Sequence, residues 1–495
     1  MDRPEPRGRA PLGPWTAGAL VFGSSGAVLV VELASLRLLA PYLGLTLETN
    51  TLVIGLALTA IAAGAWFGGR AADRVSPRRT LGPLLAVAGG AVALMPGAVR
   101  SAGAAGDGSM LLGAATLAIV VPASLLSAVT PMVIKLRLAS LDETGTVVGR
   151  LSGIGTVGAI AGTVLTGFVL ISLAPVSTIL VGLGVLLVAS SVLVDVRVRG
   201  WRSPTIAAGA IAAGALGAAA APGGCDIETR YHCAVVQTDP DRETGRVLVL
   251  DGVRHSYVDL VDPTHLDFAY VQAIASLTDT AYAEGAALRA YHLGGGGLTL
   301  PRYLHAVRPG TDSLVSEIDP GVLEADVELL GLEQGDGLEV RVEDARTGLR
   351  RAPSASRDLV VGDAFGGVSI PFHLTTREAL QEVRRVLTDD GLYAANLIDY
   401  GPLAFARAQV ATLRETFEHV ALAARPETLF GDRGGNLVAV AGARPLDTAA
   451  WADRMAERGT GWTVIEGERL DDWVEDAPVL RDDHAPVDQL LTPYP

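Results

Sequence analysis

The run Ala290-Tyr-His-Leu-Gly-Gly-Gly-Gly297 decides how the second half of this chain folds. Ala290–Leu293 is a short apolar strand, and residues 300–307 carry helical spacing. Glycines between a strand and a helix let a nucleotide approach the backbone and the helix N-terminus. A second strand, Ser313-Leu-Val-Ser-Glu-Ile318, brings Glu317 and Asp319 to a point about 20 residues beyond the glycines, where an acid is placed to grip ribose hydroxyls. The alternation continues: Leu338–Glu343 ends at Asp344, and Asp358–Gly362 ends at Asp363. Parallel strands of a doubly wound sheet open their carboxyl ends onto the ligand crevice. These spacings predict that Glu317, Asp344 and Asp363 converge on one pocket beside the tetraglycine bend. Asp363 is the catalytic candidate, because a carboxylate beside an amine orients it and accepts its proton; a helix cap is the structural alternative.

Outward from this core, the pattern predicts a helix over 376–387, a turn at Asp389-Asp390-Gly391, a strand at 392–397, and a loop at 430–436 before a strand at 437–441. On the other side, residues 229–260 are strand-like with a turn at Asp251-Gly252. Residues 264–283 have helical spacing, with Leu266, Tyr270, Ile274 and Leu277 along one face. From about 446 onward the sequence suggests an acidic extension with no assigned chemistry.

The first half is a different material. Apolar stretches lie near 15–39, 51–69, 81–99, 110–134, 151–173, 176–195 and 204–221, each able to cross a hydrocarbon core ~30 Å thick as a helix. The fold class expected is therefore a polytopic α-helical membrane domain, then an α/β Rossmann-like (methyltransferase-type) domain with a small N-terminal β element. The expected divisions are 1–221 (about seven spans), 222–285 (β-rich lead-in and first helix), 286–445 (Rossmann-like domain) and 446–495 (acidic extension). Gly153, Gly155, Gly158 and Gly162 have the spacing of close helix packing. Glu32 and Arg37, about one turn apart, form either a functional pair or an internal ion pair.

Arginines and lysines gather before the first stretch (Arg3, Arg7, Arg9), after the second (Arg70, Arg74, Arg78, Arg79), around the fourth-to-fifth connection (Lys135, Arg137, Arg150) and before the last (Arg197, Arg199, Arg202). The positive-inside rule puts all four groups in the cytoplasm. An odd span count then sends the soluble half outside, and failure of the last span to cross returns it to the cytoplasm. Cys225 and Cys233 form either a disulfide in an oxidising compartment or two thiols in a reducing one. With only His232 between them they supply too few ligands for a metal. The formal net charge of −15 argues against nucleic acid as a partner. The lipid bilayer is an expected partner, and a homo-oligomer is left open.

Leu250-Asp-Gly252, Gly294–Gly297, Glu317-Ile-Asp-Pro-Gly-Val322, Glu343-Asp-Ala345, Asp363-Ala-Phe-Gly-Gly367 and Phe372-His-Leu-Thr-Thr376 follow in an order that resembles the spermidine synthase (aminopropyltransferase) family, whose fold is similar to class I methyltransferases. The first half is similar to that of membrane-fused spermidine synthase-like proteins, through Glu32, Arg37, Pro41-Tyr-Leu-Gly44, Gly68-Gly-Arg-Ala-Ala-Asp73 and Gly158-Ala-Ile-Ala-Gly162. The resemblance implies that Glu317 holds the ribose of decarboxylated S-adenosylmethionine, with Asp319 and Gly294–Gly297 beside it, and that Asp344 meets the adenine. It further implies that Asp363 deprotonates a polyamine such as putrescine, with Tyr270 and His255 in the amine site. No permanently bound cofactor and no metal are implied, since a sulfonium leaves without help. Four family side chains differ: Gly297 and Gly366 stand where the family has Asp, Gln272 where it has an acid, and His255 where it has Gln. Alternatives to transfer are a non-catalytic adenosine sensor, a scaffold on a transport-like module, and a small-molecule methyltransferase using S-adenosylmethionine.

Overall fold

In the computed structural model, residues 12–43, 47–105, 108–138, 143–199, 224–335, 337–367 and 369–491 are described. The chain divides into two units, Met1–Gly224 and Cys225–Pro495.

The first unit is helical: α1 (Pro14–Leu43), α2 (Leu47–Arg74), α3 (Pro77–Ala104), α4 (Gly108–Ser127), α5 (Val129–Arg137), α6 (Thr144–Leu165), α7 (Ile171–Leu173) and α8 (Val176–Arg199), with a π turn Thr166–Leu170 joining α6 to α7. Among the described residues six segments are long and apolar enough to cross a membrane: Pro14–Ala40, Thr49–Arg74, Pro77–Gly103, Gly108–Arg137, Thr144–Leu170 and Val176–Val196. The expected seventh stretch at 204–221, with Arg3, Arg7, Arg9 and Arg202, lies outside the described residues. Helix contacts run backbone to backbone. A Cβ on Gly158 would lie 2.2 Å from the Phe22 carbonyl oxygen, and one on Gly162 2.5 Å from that of Gly26. No larger residue fits between α1 and α6 there. Gly153 faces open space and takes no part in this contact.

The second unit begins with a four-stranded antiparallel sheet: β1 (Ile227–Glu228), β2 (Cys233–Asp239), β3 (Arg242–Leu250) and β4 (Val253–Asp259). Asp251 and Gly252, both at positive φ, make the tight turn between β3 and β4, the backbone that Asp-Gly favours in a hairpin. Cys225 and Cys233 are joined in a disulfide.

The main sheet holds β5 (Arg289–Leu293), β6 (Asp312–Glu317), β7 (Leu338–Val342), β8 (Arg357–Gly362), β9 (Leu387–Asp399), β10 (His419–Ala424), β11 (Gly435–Gly442) and β12 (Thr463–Glu466). Its order is β12-β10-β11-β9-β8-β5-β6-β7. The pairs among β5 to β9 are parallel, whereas β10 to β12 add on antiparallel to one another and to β9. Apolar strands such as β5 and β10 are buried between helix layers, as parallel sheets require. The order reverses at β5, so β5 and β8 flank the switch point where such sheets bind ligands.

Two expectations fail here. The turn at Asp389-Asp390-Gly391 is a bulge inside β9, where pairing with β8 jumps from Arg357↔Leu387 to Leu359↔Leu392. The polar residues loop out without ending the strand. The segment from 446 is no appendage: β12 extends the sheet beside β10, and Trp451 is buried in the core.

Candidate active site

A cavity of ≈ 600 Å³ opens at the carboxyl ends of the strands, between the small sheet and the main one. Glu317, Asp344 and Asp363 all line it, with Gly294, Gly295 and Gly296 between them. The convergence predicted from strand spacing is therefore present.

The glycine bend is shaped by close approach. Gly294 has φ of 107°, and a Cβ there would meet the Asp363 carbonyl oxygen at 2.3 Å. Only glycine lets β5 turn this tightly against the end of β8. Gly296 alone of the three has open space, with its nearest neighbour at 3.8 Å. Gly297 departs from expectation. It is turned away from the cavity, its N–H donates to the buried Asp326 Oδ1 at 2.9 Å, and a Cβ there would fall 2.0 Å from Ser256 Oγ. An acid at this position is incompatible with Ser256 in place.

Glu317 ends β6 with both oxygens engaged, Oε2 accepting from Gly295 N–H at 2.8 Å and Oε1 from Asp319 N–H at 2.7 Å. Burial pushes its pKa up, and these two bonds pull it back. Each oxygen keeps a second lone pair for a hydroxyl donor. Asp319 does not reach the cavity. Fully buried, it caps the helix Pro320–Glu328 by accepting from Gly321 N–H, and it also accepts from Thr229 Oγ1 and Tyr231 N–H. Its expected nucleoside role gives way to a structural one, because its carboxylate is consumed by these donors. Asp344 both caps its helix, accepting from Thr347 N–H at 2.9 Å, and pairs with His373 Nε2 at 2.8 Å. Burial opposes its charge, but these bonds hold its pKa below the usual range.

Asp363 follows β8 and is enclosed. Tyr270 O–H donates to Oδ2 at 3.1 Å, and Asn396 Nδ2 to Oδ1 at 2.9 Å. Asn396 in turn accepts from Asn436 Nδ2 at 2.9 Å. With no cation bonded to it among the described residues, burial pushes the Asp363 pKa up to about 6, against the pull of its two donors. Its partner Tyr270 is held well above the usual phenol range by the same burial. A carboxylate at this value is ionised at neutral pH yet ready to take a proton.

His255 lines the cavity as expected. Its Nδ1 lies 3.1 Å from the Val253 carbonyl oxygen, which only accepts, so the hydrogen is on Nδ1. Burial lowers the pKa of the ring, opposed by the backbone groups of Val253 and Gly367 beside it. His232, held at 2.6 Å by Asp251, stands beside it with ring centres 6.2 Å apart.

Sequence reasoning missed Asn396, Asn436, Arg425, Arg433, His292 and Trp462, all of which line the cavity. Asn396 had a signal: an amide in the middle of an apolar strand. Gly366 and Gln272 are not on the wall; Gln272 is spent on the Leu266 carbonyl oxygen at 2.6 Å.

No protein-family model matches the chain. The chain is spermidine synthase-like in sequence: it is 33% identical over 106 residues to the polyamine aminopropyltransferase of Vibrio vulnificus, covering 21% of this chain and 36% of that one. It is 29% identical over 176 residues to the N-terminal histidine N-methyltransferase of Emericella nidulans, covering 34% and 31%. The chain thus spans about a third of the length of these curated relatives. Among solved structures, a probable spermidine synthase from Corynebacterium glutamicum is 28% identical with a TM-score of 0.49, covering 52% of this chain and 96% of that chain.

Proposed function

We propose that the second unit transfers an aminopropyl group from decarboxylated S-adenosylmethionine to a small amine. The observation that carries this reading is Asp363: a half-buried carboxylate with no cation bonded to it among the described residues, on the same cavity wall as the glycine bend and Glu317. In the reaction the amine nitrogen forms a bond to the carbon next to the sulfonium. The carbon–sulfur bond breaks with its electron pair going to sulfur, which leaves neutral methylthioadenosine. The proton lost by the nitrogen passes to Asp363.

Glu317 takes the ribose hydroxyls on its free lone pairs, and Gly296 gives the nucleoside room to lie against the backbone. Asp344 stands where the adenine edge comes, sharing its carboxylate with His373. Tyr270 and Asn396 hold the Asp363 carboxylate still, which supplies the alignment that displacement at carbon needs. His255, on the cavity wall, helps shape the amine pocket. The first unit is a membrane tether. The cationic loops and the Cys225–Cys233 bond support a second unit outside the cytoplasm, a placement that also needs the stretch at 204–221 to cross.

The test is methylthioadenosine release by the full chain in detergent, given decarboxylated S-adenosylmethionine and a panel of amines that includes putrescine. Asp363→Asn lowers that release about 10²–10⁴-fold while methylthioadenosine still binds. Release undiminished in the variant removes Asp363 from the chemistry and the reading with it.

A further inference from the structure

The last part of the chain is bonded to the Asp344 side of the cavity. Residues 369–376 form a loop that puts Pro371, His373 and Leu374 on the cavity wall. Both ends of this loop are tied to residues 480–490. Ser369 Oγ donates to Asp488 Oδ1 at 3.0 Å, and Thr376 Oγ1 donates to Asp482 Oδ1 at 2.7 Å. Just beyond the loop, Arg377 N–H donates to the Leu480 carbonyl oxygen at 2.9 Å, and Asp482 N–H donates to Glu378 Oε2 at 3.0 Å. Leu480 and Val487 are buried in the core, so apolar side chains seat this segment and no single polar bond decides its place.

Arg346 joins the segment to the wall. It lies in the helix Ala345–Arg351, two residues after the Asp344 that caps it, and it is buried. Its two Nη atoms donate to the two oxygens of Asp482 at 2.7 and 2.6 Å, a fork that fixes the guanidinium in direction as well as place. Nη1 also donates to the His373 carbonyl oxygen at 3.0 Å. The ring of that same histidine meets Asp344, with Nε2 at 2.8 Å. Asp482, Arg346, His373 and Asp344 thus form one unbroken series of contacts. Among the described residues Asp482 is the only carboxylate paired with Arg346. Without it the buried guanidinium is an unpaired charge, a costly state that it escapes only by moving, and the His373 backbone moves with it.

We propose that Asp482 and Arg346 are positioning residues for the nucleoside wall: they set the His373 backbone so that its ring meets Asp344. The chemistry at Asp363 does not run through them. That this wall takes a nucleoside rests on the aminopropyl-transfer reading, whereas the brace rests on the bonds alone.

Asp482→Asn keeps size and removes charge. In the full chain it is expected to weaken methylthioadenosine binding about tenfold by calorimetry. It should raise KM for decarboxylated S-adenosylmethionine to match, with kcat held within about twofold. Asp482→Glu, which keeps the charge, recovers most of the loss. Arg346→Lys keeps a cation opposite Asp482 but cannot span both partners; it shows the same loss, and it stands in if Asp482→Asn does not fold. In a His373→Ala background the Asp482 substitution should cost less than about twofold, because its route is already cut. Affinity unchanged by Asp482→Asn, or a tenfold loss that persists without His373, overturns the proposal. Should methylthioadenosine fail to bind even the unaltered chain, hydrogen exchange over residues 369–376 separates the two ideas. Faster exchange in Asp482→Asn keeps the brace and sinks the nucleoside reading; unchanged exchange sinks the brace.

Discussion

The two ends of the cavity hold their carboxylates by opposite means. Glu317, after β6, is fixed by two backbone N–H groups. Asp363, after β8, is fixed by a phenol and an amide side chain. Backbone donors cannot be removed without refolding the glycine bend, so the Glu317 end is rigid and suited to an invariant nucleoside. Side-chain donors are tunable, and they leave the Asp363 carboxylate free to trade its charge for a proton. On the proposed reading, one end binds and the other reacts.

Substitutions can break this contrast. Glu317→Gln sets an amide where two N–H donors point, and its carboxamide is a weaker acceptor for hydroxyls. Bonds to charged groups contribute about 1.5–3 kcal/mol, so methylthioadenosine affinity, measured by calorimetry, is expected to fall about 10–100-fold. Unchanged affinity would move the nucleoside elsewhere in the cavity. A smaller effect tests the reactive end. Turnover should rise with pH through about 6 as Asp363 ionises, and Asn396→Leu, which removes a bond that lowers this pKa, should shift the midpoint to higher pH. A midpoint that stays put would show that another group controls the rate.

The smallest effect is on stability. In the unfolded chain Asp363 titrates near 4, whereas in the fold it titrates at about 6. The folded protein holds the proton more tightly, so the stability this group contributes is complete below pH ~4 and is lost as pH rises through 6. The difference amounts to roughly 3 kcal/mol. Asp363→Asn cannot ionise, so its thermal midpoint is expected to gain on that of the unaltered chain from pH 4 to pH 8. A constant gap across that range would contradict the raised pKa.

Strand spacing made the rigid end legible. The apolar runs at 290–293 and 313–318 set the period, and their carboxyl ends fall where β5 and β6 end. The same logic overreached at Asp319, because an acid two residues past a strand is equally placed to cap the next helix, as it does here. The other end was mostly hidden. Asn436, which reaches Asp363 through Asn396, is placed by β11 running antiparallel to β9 and β10, and no local pattern announces that reversal. The disulfide was open on spacing alone; its formation follows from β2 lying beside the entry to the unit, which brings the two Cα atoms to 5.1 Å. In the helical unit, glycine spacing marked α6 as a close-packing helix but named neither its partner α1 nor a reason to drop Gly153, since period alone does not tell which side a neighbour occupies.

Trp451 ties these regions together in time as well as space. Its indole N–H donates to the Ala273 carbonyl oxygen at 2.9 Å, one turn along the helix Ala269–Ala281 from the Tyr270 that steadies Asp363. Trp462, beyond the end of the helix that carries Trp451, is itself part of the cavity wall. A chain emerging from the ribosome has its glycine bend and all three acids long before it has these tryptophans. The reactive end is therefore assembled last, and a chain cut short before the helix Thr448–Glu457 would keep Glu317, Asp344 and Asp363 while losing the tryptophan that braces the helix of Tyr270.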